Sequence, residues 1–207
     1  MSTNTRTTAA ADETTALHSS SGWRVVDIVV AAVLGIAVGL IFIAFNYTGA
    51  NLFDPLSAVL PGLGGLIVGV WLIGGPLGGL IIRKPGAAVL VEVLAATVSV
   101  LPGNKWGIST LWSGLAQGFG AEMVFALFLY RAWRLPVAML AGAGAGVGAW
   151  ILEYGLGNHA MSLGFNITYL VCLIISGALL AGALSWALTR ALARTGVLSR
   201  FPSGREA

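Results

Sequence analysis

Three glutamates interrupt runs of residues that otherwise favour hydrocarbon: Glu92 in AAVLVEVLAATVSV, Glu122 in GFGAEMVFALF and Glu153 in GAWILEYGL. An ionised carboxylate in such surroundings is costly unless it meets a cation, a proton or a set of hydrogen-bond donors. The interiors of these runs contain no Lys, Arg or His, so the chain supplies anions without matching cations. Three kinds of chemistry remain open: recognition of a cationic ligand, carriage of a proton, and a network of neutral donors that ties helices together.

Aromatic residues accompany the acids. Trp112, Phe119 and Glu122 recur at spacings of seven and three, which puts them on approximately one helical face, and Trp150, Glu153 and Tyr154 crowd one sector of another helix. An indole beside a carboxylate suits a flat cationic heterocycle. Asn46, Tyr47, Asn104, Trp106, His159 and Asn166 add polar and stacking groups near the same ends of their segments. Trp106 and Trp133 equally fit an interfacial aromatic belt. The acids also have a structural reading as helix-to-helix ties, which for Glu122 weighs evenly against ligand binding.

Catalytic sets are missing. The sequence contains no HExxH, no cysteine near a histidine and no convincing base for Ser109 or Ser113. His159 does not assemble a metal centre by itself, and Cys172, the sole cysteine, reads as a small buried hydrophobe. No GxxxxGK[ST] loop is present, so any dependence on ATP belongs to a partner. The chain is expected to be neither an enzyme nor a holder of cofactors.

The elements that position these residues follow from composition. The 207 residues are 57% apolar and 9% charged, with mean hydropathy +0.89. A soluble domain needs a surface about one quarter charged. The composition is that of an integral membrane protein, and the basic residues flank the apolar runs instead of forming a nucleic-acid patch. Six apolar segments are expected over approximately 25–47, 56–82, 86–101, 108–130, 136–156 and 166–189. The third is short, but Pro85 fits its first turn and Pro102 ends it. The second, rich in glycine and containing Pro76, predicts a kinked or interrupted helix.

An all-α bundle of six transmembrane helices then places ten of the eleven Lys and Arg residues on one side and Lys105 alone on the other. That bias predicts cytoplasmic termini for a multi-pass membrane protein. Residues 1–22 are expected to be a disordered cytoplasmic tail, 23–192 the membrane domain and 193–207 a second cytoplasmic tail. With this topology Glu92 lies near the midplane, Glu153 near the outer end of its span and Glu122 in the inner half. A pocket open to the outside would reach Glu153 and Glu92 first, beneath loops 47–54, 101–107 and 156–164. Small residues at intervals of four, Ala31, Gly35 and Gly39, with a similar series from Ala141 to Ala149, allow close helix approach. Internal packing explains such stripes, but the first is also the expected coupling surface toward another membrane protein.

The string RKPGAA at 83–88, Glu92, the PGNKWG turn at 102–107 and the six-span layout resemble the YkoE-like substrate-binding (S) subunits of energy-coupling factor (ECF) vitamin importers. The resemblance covers roughly residues 22–192. It implies a six-helix bundle that binds thiamine or its hydroxymethylpyrimidine moiety outside and works with a transmembrane coupling (T) subunit and two cytoplasmic ATPases. It further implies that a glutamate meets the aminopyrimidine while aromatic rings stack on the ligand, with Glu92, Glu122, Glu153, Trp112, Trp150 and Tyr154 as candidates. A proton-coupled transporter using Glu92 or Glu122, or a non-transporting structural subunit, are the competing readings.

Overall fold

The computed structural model describes residues 22–205. The expected first tail, apart from Gly22, lies outside the described residues. Among the described residues the main helices are α1 Val25–Tyr47, α2 Phe53–Val59, α3 Gly65–Ile82, α4 Ala87–Val100, α5 Ser109–Leu127, α6 Leu135–Leu156, α7 Leu163–Arg194 and α8 Pro202–Arg205, with short 3-10 turns at Gly49–Leu52 and Asn158–Ala160. Among the described residues, α1, α3, α6 and α7 are long and apolar enough to cross a membrane, while α4 is a shorter apolar helix of 14 residues. The 19-residue α5 carries Gln117 and Glu122 among its buried positions.

The second expected span divides in two. α2 stops at Val59, a turn containing Gly62 (φ 100°) follows, and α3 begins at Gly65. Within α3 the segment Gly69–Leu72 tightens to a 3-10 turn before Gly74–Ile82 resumes the α-helix. α3 is the central element: every residue from Gly74 to Ile82 is buried. The last expected span is longer than its sequence pattern, and Gly177–Ala183 widens into a π-helical stretch.

Small residues bring the helices together. α5 packs along α6, α6 along α7 and α1 along α4. A Cβ on Gly120 would meet the Gly144 carbonyl oxygen at 2.1 Å, so the α5 and α6 backbones touch directly there. The α1 stripe is likewise consumed inside the bundle. Ala31 is fully buried, and Cβ atoms added at Gly35 and Gly39 would lie 2.5 Å from the Cβ atoms of Leu94 and Val98. The expected coupling surface at Ala31, Gly35 and Gly39 is therefore corrected: α4 already covers it. The opposite side of α1 exposes Val29, Val33, Ile36 and Leu40.

At one end of the bundle, charges staple the chain. Buried Asp27 meets Arg24 at 2.8 Å and Lys84 at 2.7 Å, while the Lys84 ammonium also donates to the Gly22 carbonyl and the Trp23 indole to Pro85 O at 3.1 Å. These contacts fix the start of α1 to the α3–α4 turn, where Arg83 adopts a left-handed conformation that ends α3. Residues 198–205, within the expected second tail, also pack here: Leu198 and Phe201 are buried, and Ser203 Oγ donates to Ile81 O at 2.9 Å.

Candidate functional site

A cavity of about 530 Å³ opens at the other end, between α1, α2, α3, α4, α5, α6 and α7. Glu92 forms part of its wall. This side chain is fully buried; its Oε2 accepts a hydrogen bond from the Gly75 amide at 2.6 Å, whereas Oε1 has no hydrogen-bond partner among the described residues. The restart of α3 after its 3-10 turn creates this arrangement, because the first amides of a helical segment lack partners within it. Glycine is required for the approach: a Cβ on Gly74 would stand 2.8 Å from Glu92 Oε2 and 3.2 Å from Glu92 Cα.

Aromatic side chains form two walls. On one, Trp71 lies edge-on to Phe45 at 4.8 Å and to Trp106 at 5.5 Å, and its indole donates to Asn46 Oδ1 at 2.9 Å. On the other, Phe165 stacks on Tyr169 at 5.5 Å and Phe53 meets Tyr169 at 6.3 Å. The Tyr169 and Glu153 side chains lie side by side on this wall. Gln117 is also buried on the cavity wall, where it offers an amide that can both donate and accept. Ser57 adds a buried hydroxyl oxygen that has no partner among the described residues.

The charge of the wall favours cations. Asp54, Glu92 and Glu153 line it, against Lys105, whose ammonium rests over the Trp106 ring at 4.7 Å. Among the described residues no group of three His, Cys, Asp or Glu side chains is arranged to hold a metal ion. The arrangement therefore suits an organic ligand with flat rings, a hydrogen-bond donor near Glu92 and positive charge.

Four of the sequence candidates line this cavity: Glu92, Glu153, Asn46 and Trp106. Glu122 does not. It lies at the start of α4, where its carboxylate accepts from the amides of Gly86 at 2.7 Å, Ala88 at 2.9 Å and Val89 at 3.4 Å and from the Tyr130 hydroxyl at 2.7 Å. A carboxylate satisfies the free amides and complements the dipole of a helix N-terminus. Burial and the adjacent Glu122 keep the Tyr130 phenol above its ordinary pKa, so it remains a donor.

The other candidates brace the rim. Asn104 closes its own turn, with Oδ1 accepting from Trp106 N at 3.0 Å and Gly107 N at 2.8 Å, and thereby sets the position of Trp106. Asn166 donates to Asn158 O at 2.8 Å and holds the α6–α7 loop. The Trp150 indole donates to Asn166 O at 3.2 Å and its ring stacks on Tyr154, whose carbonyl lies 3.0 Å from His159 Nδ1. Tyr47 and Trp112 are about 60% exposed and do not line the cavity. Sequence reasoning missed Trp71, Gln117, Phe53 and Tyr169. Gln117, an amide inside an apolar helix, carried the clearest signal.

Comparisons with known proteins agree with this architecture. Residues 26–148 match the family model described as "ABC-type cobalt transport system, permease component". YkoE of Bacillus subtilis (strain 168), named as an HMP/thiamine permease protein, is 40% identical over 188 residues, covering 89% of this chain and 92% of that protein. The biotin transporter BioY of Rhodobacter capsulatus is 38% identical over a shorter stretch, 44% of this chain and 49% of its own length. A crystal structure of an S-component of an ECF transporter superposes with a TM-score of 0.81 at 37% identity, covering 89% of this chain and 93% of the other. The chain is a multi-pass membrane protein that belongs to the YkoE-like family of ECF S-components.

Proposed function

We propose that this protein is the capture subunit of an ECF importer and takes thiamine, or its hydroxymethylpyrimidine part, into the large cavity. The observation that carries the reading is Glu92: one carboxylate oxygen is fixed by Gly75 and the other, buried on the cavity wall, is left without a protein donor. A buried acceptor of this kind gains most from a ligand N–H, because leaving it unmade costs about 1–3 kcal/mol, and more for a charged group. The exocyclic amine of an aminopyrimidine is such a donor. The thiazolium of thiamine carries the positive charge that Asp54 and Glu153 favour, and Trp71, Trp106 and Tyr169 provide faces for its rings. A volume of about 530 Å³ falls in the range of small-molecule sites, roughly 300–1,000 Å³.

The chain crosses the membrane six times in this reading, with α2 and α3 together making the second segment and both termini cytoplasmic. Arg24, Lys84 and Arg83 gather at the end away from the cavity, in agreement with a positive-inside arrangement. The cavity then faces outward, under α2 with Asp54 and the loops that carry Lys105 and Asn158. Having no phosphate-binding loop in its sequence, the subunit relies on two cytoplasmic ATPases and a transmembrane coupling subunit. Their nucleotide cycle biases the complex toward a state in which the cavity releases its ligand inward.

Intrinsic fluorescence tests the ligand directly, since Trp71 and Trp106 line the cavity. Titration of the detergent-purified full chain with thiamine and with hydroxymethylpyrimidine is expected to give saturable quenching by at least one of them. A flat response to both, with the protein monodisperse, overturns the assignment.

A further inference from the structure

The large cavity is not chemically uniform. Its carboxylates become more exposed from floor to mouth: Glu92 is fully buried, Glu153 is half-buried near the end of α6, and Asp54 is exposed in the first turn of α2. Ser57 stands one turn from Asp54 on the same helix and lines the same cavity. Its buried Oγ has no partner among the described residues, and a Cβ on Gly64 would stand 2.8 Å from it, so glycine there leaves the hydroxyl uncovered. Phe53 and Tyr169 bring these groups to one wall: their rings lie 6.3 Å apart, and Tyr169 is beside Glu153. Among the described residues that wall the cavity, the single basic side chain is Lys105, and it belongs to the other aromatic wall, with its ammonium 4.7 Å from the Trp106 ring.

We propose that the wall carrying Asp54, Ser57 and Glu153 selects a ligand that ends in a free hydroxyl and rejects the phosphate ester of the same ligand. The inference rests on the capture of thiamine or hydroxymethylpyrimidine proposed above, both of which are alcohols. Anchoring of the ring system at Glu92 directs the rest of the ligand toward the mouth, where Asp54 and Glu153 stand. A neutral hydroxyl can accept a hydrogen bond from Ser57 and donate one to a carboxylate at the same time. A phosphate monoester brings a charge of about −1.5 to −2 at pH 7, against a wall on which three carboxylates face one ammonium. Its oxygens are acceptors, as are those of Asp54 and Glu153, so the carboxylates that would pair with a hydroxyl repel the ester. The discrimination comes from what the wall repels as much as from what it binds. An ester on the side of the membrane that the cavity faces then becomes cargo only after water cleaves its P–O bond to leave the alcohol and inorganic phosphate. The class of reaction that supplies this subunit from such esters is phosphate monoester hydrolysis.

Calorimetric titration of the detergent-purified full chain compares thiamine with thiamine monophosphate, and hydroxymethylpyrimidine with its monophosphate. The ester of each alcohol that binds should be at least about thirtyfold weaker, since bringing like charges together costs more than one power of ten in affinity. Asp54→Asn and Glu153→Gln each remove one repelling charge and should narrow that ratio at least about threefold. Asp54 is exposed, so its substitution does not disturb the packing of the bundle. Ser57→Ala should weaken the alcohol about fivefold, the loss of one hydrogen bond, with little change for the ester. An ester bound as tightly as its alcohol overturns the inference while leaving the capture reading in place, and selective loss of that ester in Lys105→Gln would then identify the ammonium as the group that holds it. A wide ratio that neither carboxylate substitution narrows also overturns it. Absence of binding by both alcohols instead defeats the capture reading, and this inference falls with it.

Discussion

The Gly75 amide donates to Glu92 Oε2 at 2.6 Å, so the carboxylate that faces the cavity is held by a backbone group of the neighbouring helix. The pairing exists because α3 interrupts itself with a 3-10 turn and restarts at a pair of glycines, and because the Gly74 position has no room for a side chain beside Glu92. The cavity wall thus depends on the helix break as much as on the acid.

Gly74→Ala tests this dependence. The new methyl group displaces the Glu92 carboxylate, whose end is the flexible partner in the clash. Affinity for thiamine is expected to fall about tenfold, equivalent to one hydrogen bond to a charged group, with unfolding temperature lowered by only a few degrees. Wild-type affinity measured by fluorescence titration would refute the positioning role.

Trp71 and Trp112 separate cavity from surface. Trp71→Ala removes a wall aromatic and leaves Asn46 without its indole donor, so ligand affinity should drop by about 1–3 kcal/mol, or roughly 5- to 150-fold. Trp112→Ala alters an exposed ring and should leave affinity within about twofold. Parallel calorimetric titrations of the two variants check the contrast, and a larger effect at Trp112 would move the site.

Glu122 should matter for folding more than for binding. Glu122→Ala strands the α4 amides and the Tyr130 hydroxyl, at a cost of about 3 kcal/mol. Glu122→Gln keeps the acceptor oxygen and should lose less. The measurement is thermal unfolding of each variant alongside thiamine affinity, which is expected to remain near wild type in the protein that stays folded.

The first small-residue stripe makes a related prediction. Gly39→Leu inserts a side chain where even a Cβ would lie 2.5 Å from Val98 Cβ and 2.9 Å from Ala95 O. Detergent-purified protein without any partner should therefore unfold at markedly lower temperature. Unchanged stability, with loss only of association with a coupling subunit, would return this face to an intermolecular role.

The helices were legible because prolines, glycines and charges punctuate the apolar runs. Pro85 and Pro102 bracket α4, whose 14 residues run from Ala87 to Val100. Side-chain direction was less accessible. Trp112 and Glu122 are separated by ten residues, which at about 100° per residue leaves about 80° between them. One therefore reaches the exposed side of α5 while the other turns to α4. Trp71 was hidden by the 3-10 segment around it, since a fixed helical period fails across such a turn. For Ala31, Gly35 and Gly39 the spacing disclosed close packing but could not say that α4 was the neighbour. Glu92, Glu153, Asn46 and Trp106 were found because polar groups in apolar runs and an aromatic at a loop end are local signals; their convergence required the fold.

The central claim is that Glu92 Oε1 receives a donor from the ligand. Calorimetric titration of wild type and Glu92→Gln with hydroxymethylpyrimidine and thiamine measures it most directly. The account predicts saturable binding by wild type to at least one of the two, and affinity reduced about tenfold or more in the variant, the loss of a charge-assisted hydrogen bond. Equal affinity in the two proteins, at matching stoichiometry, would contradict it.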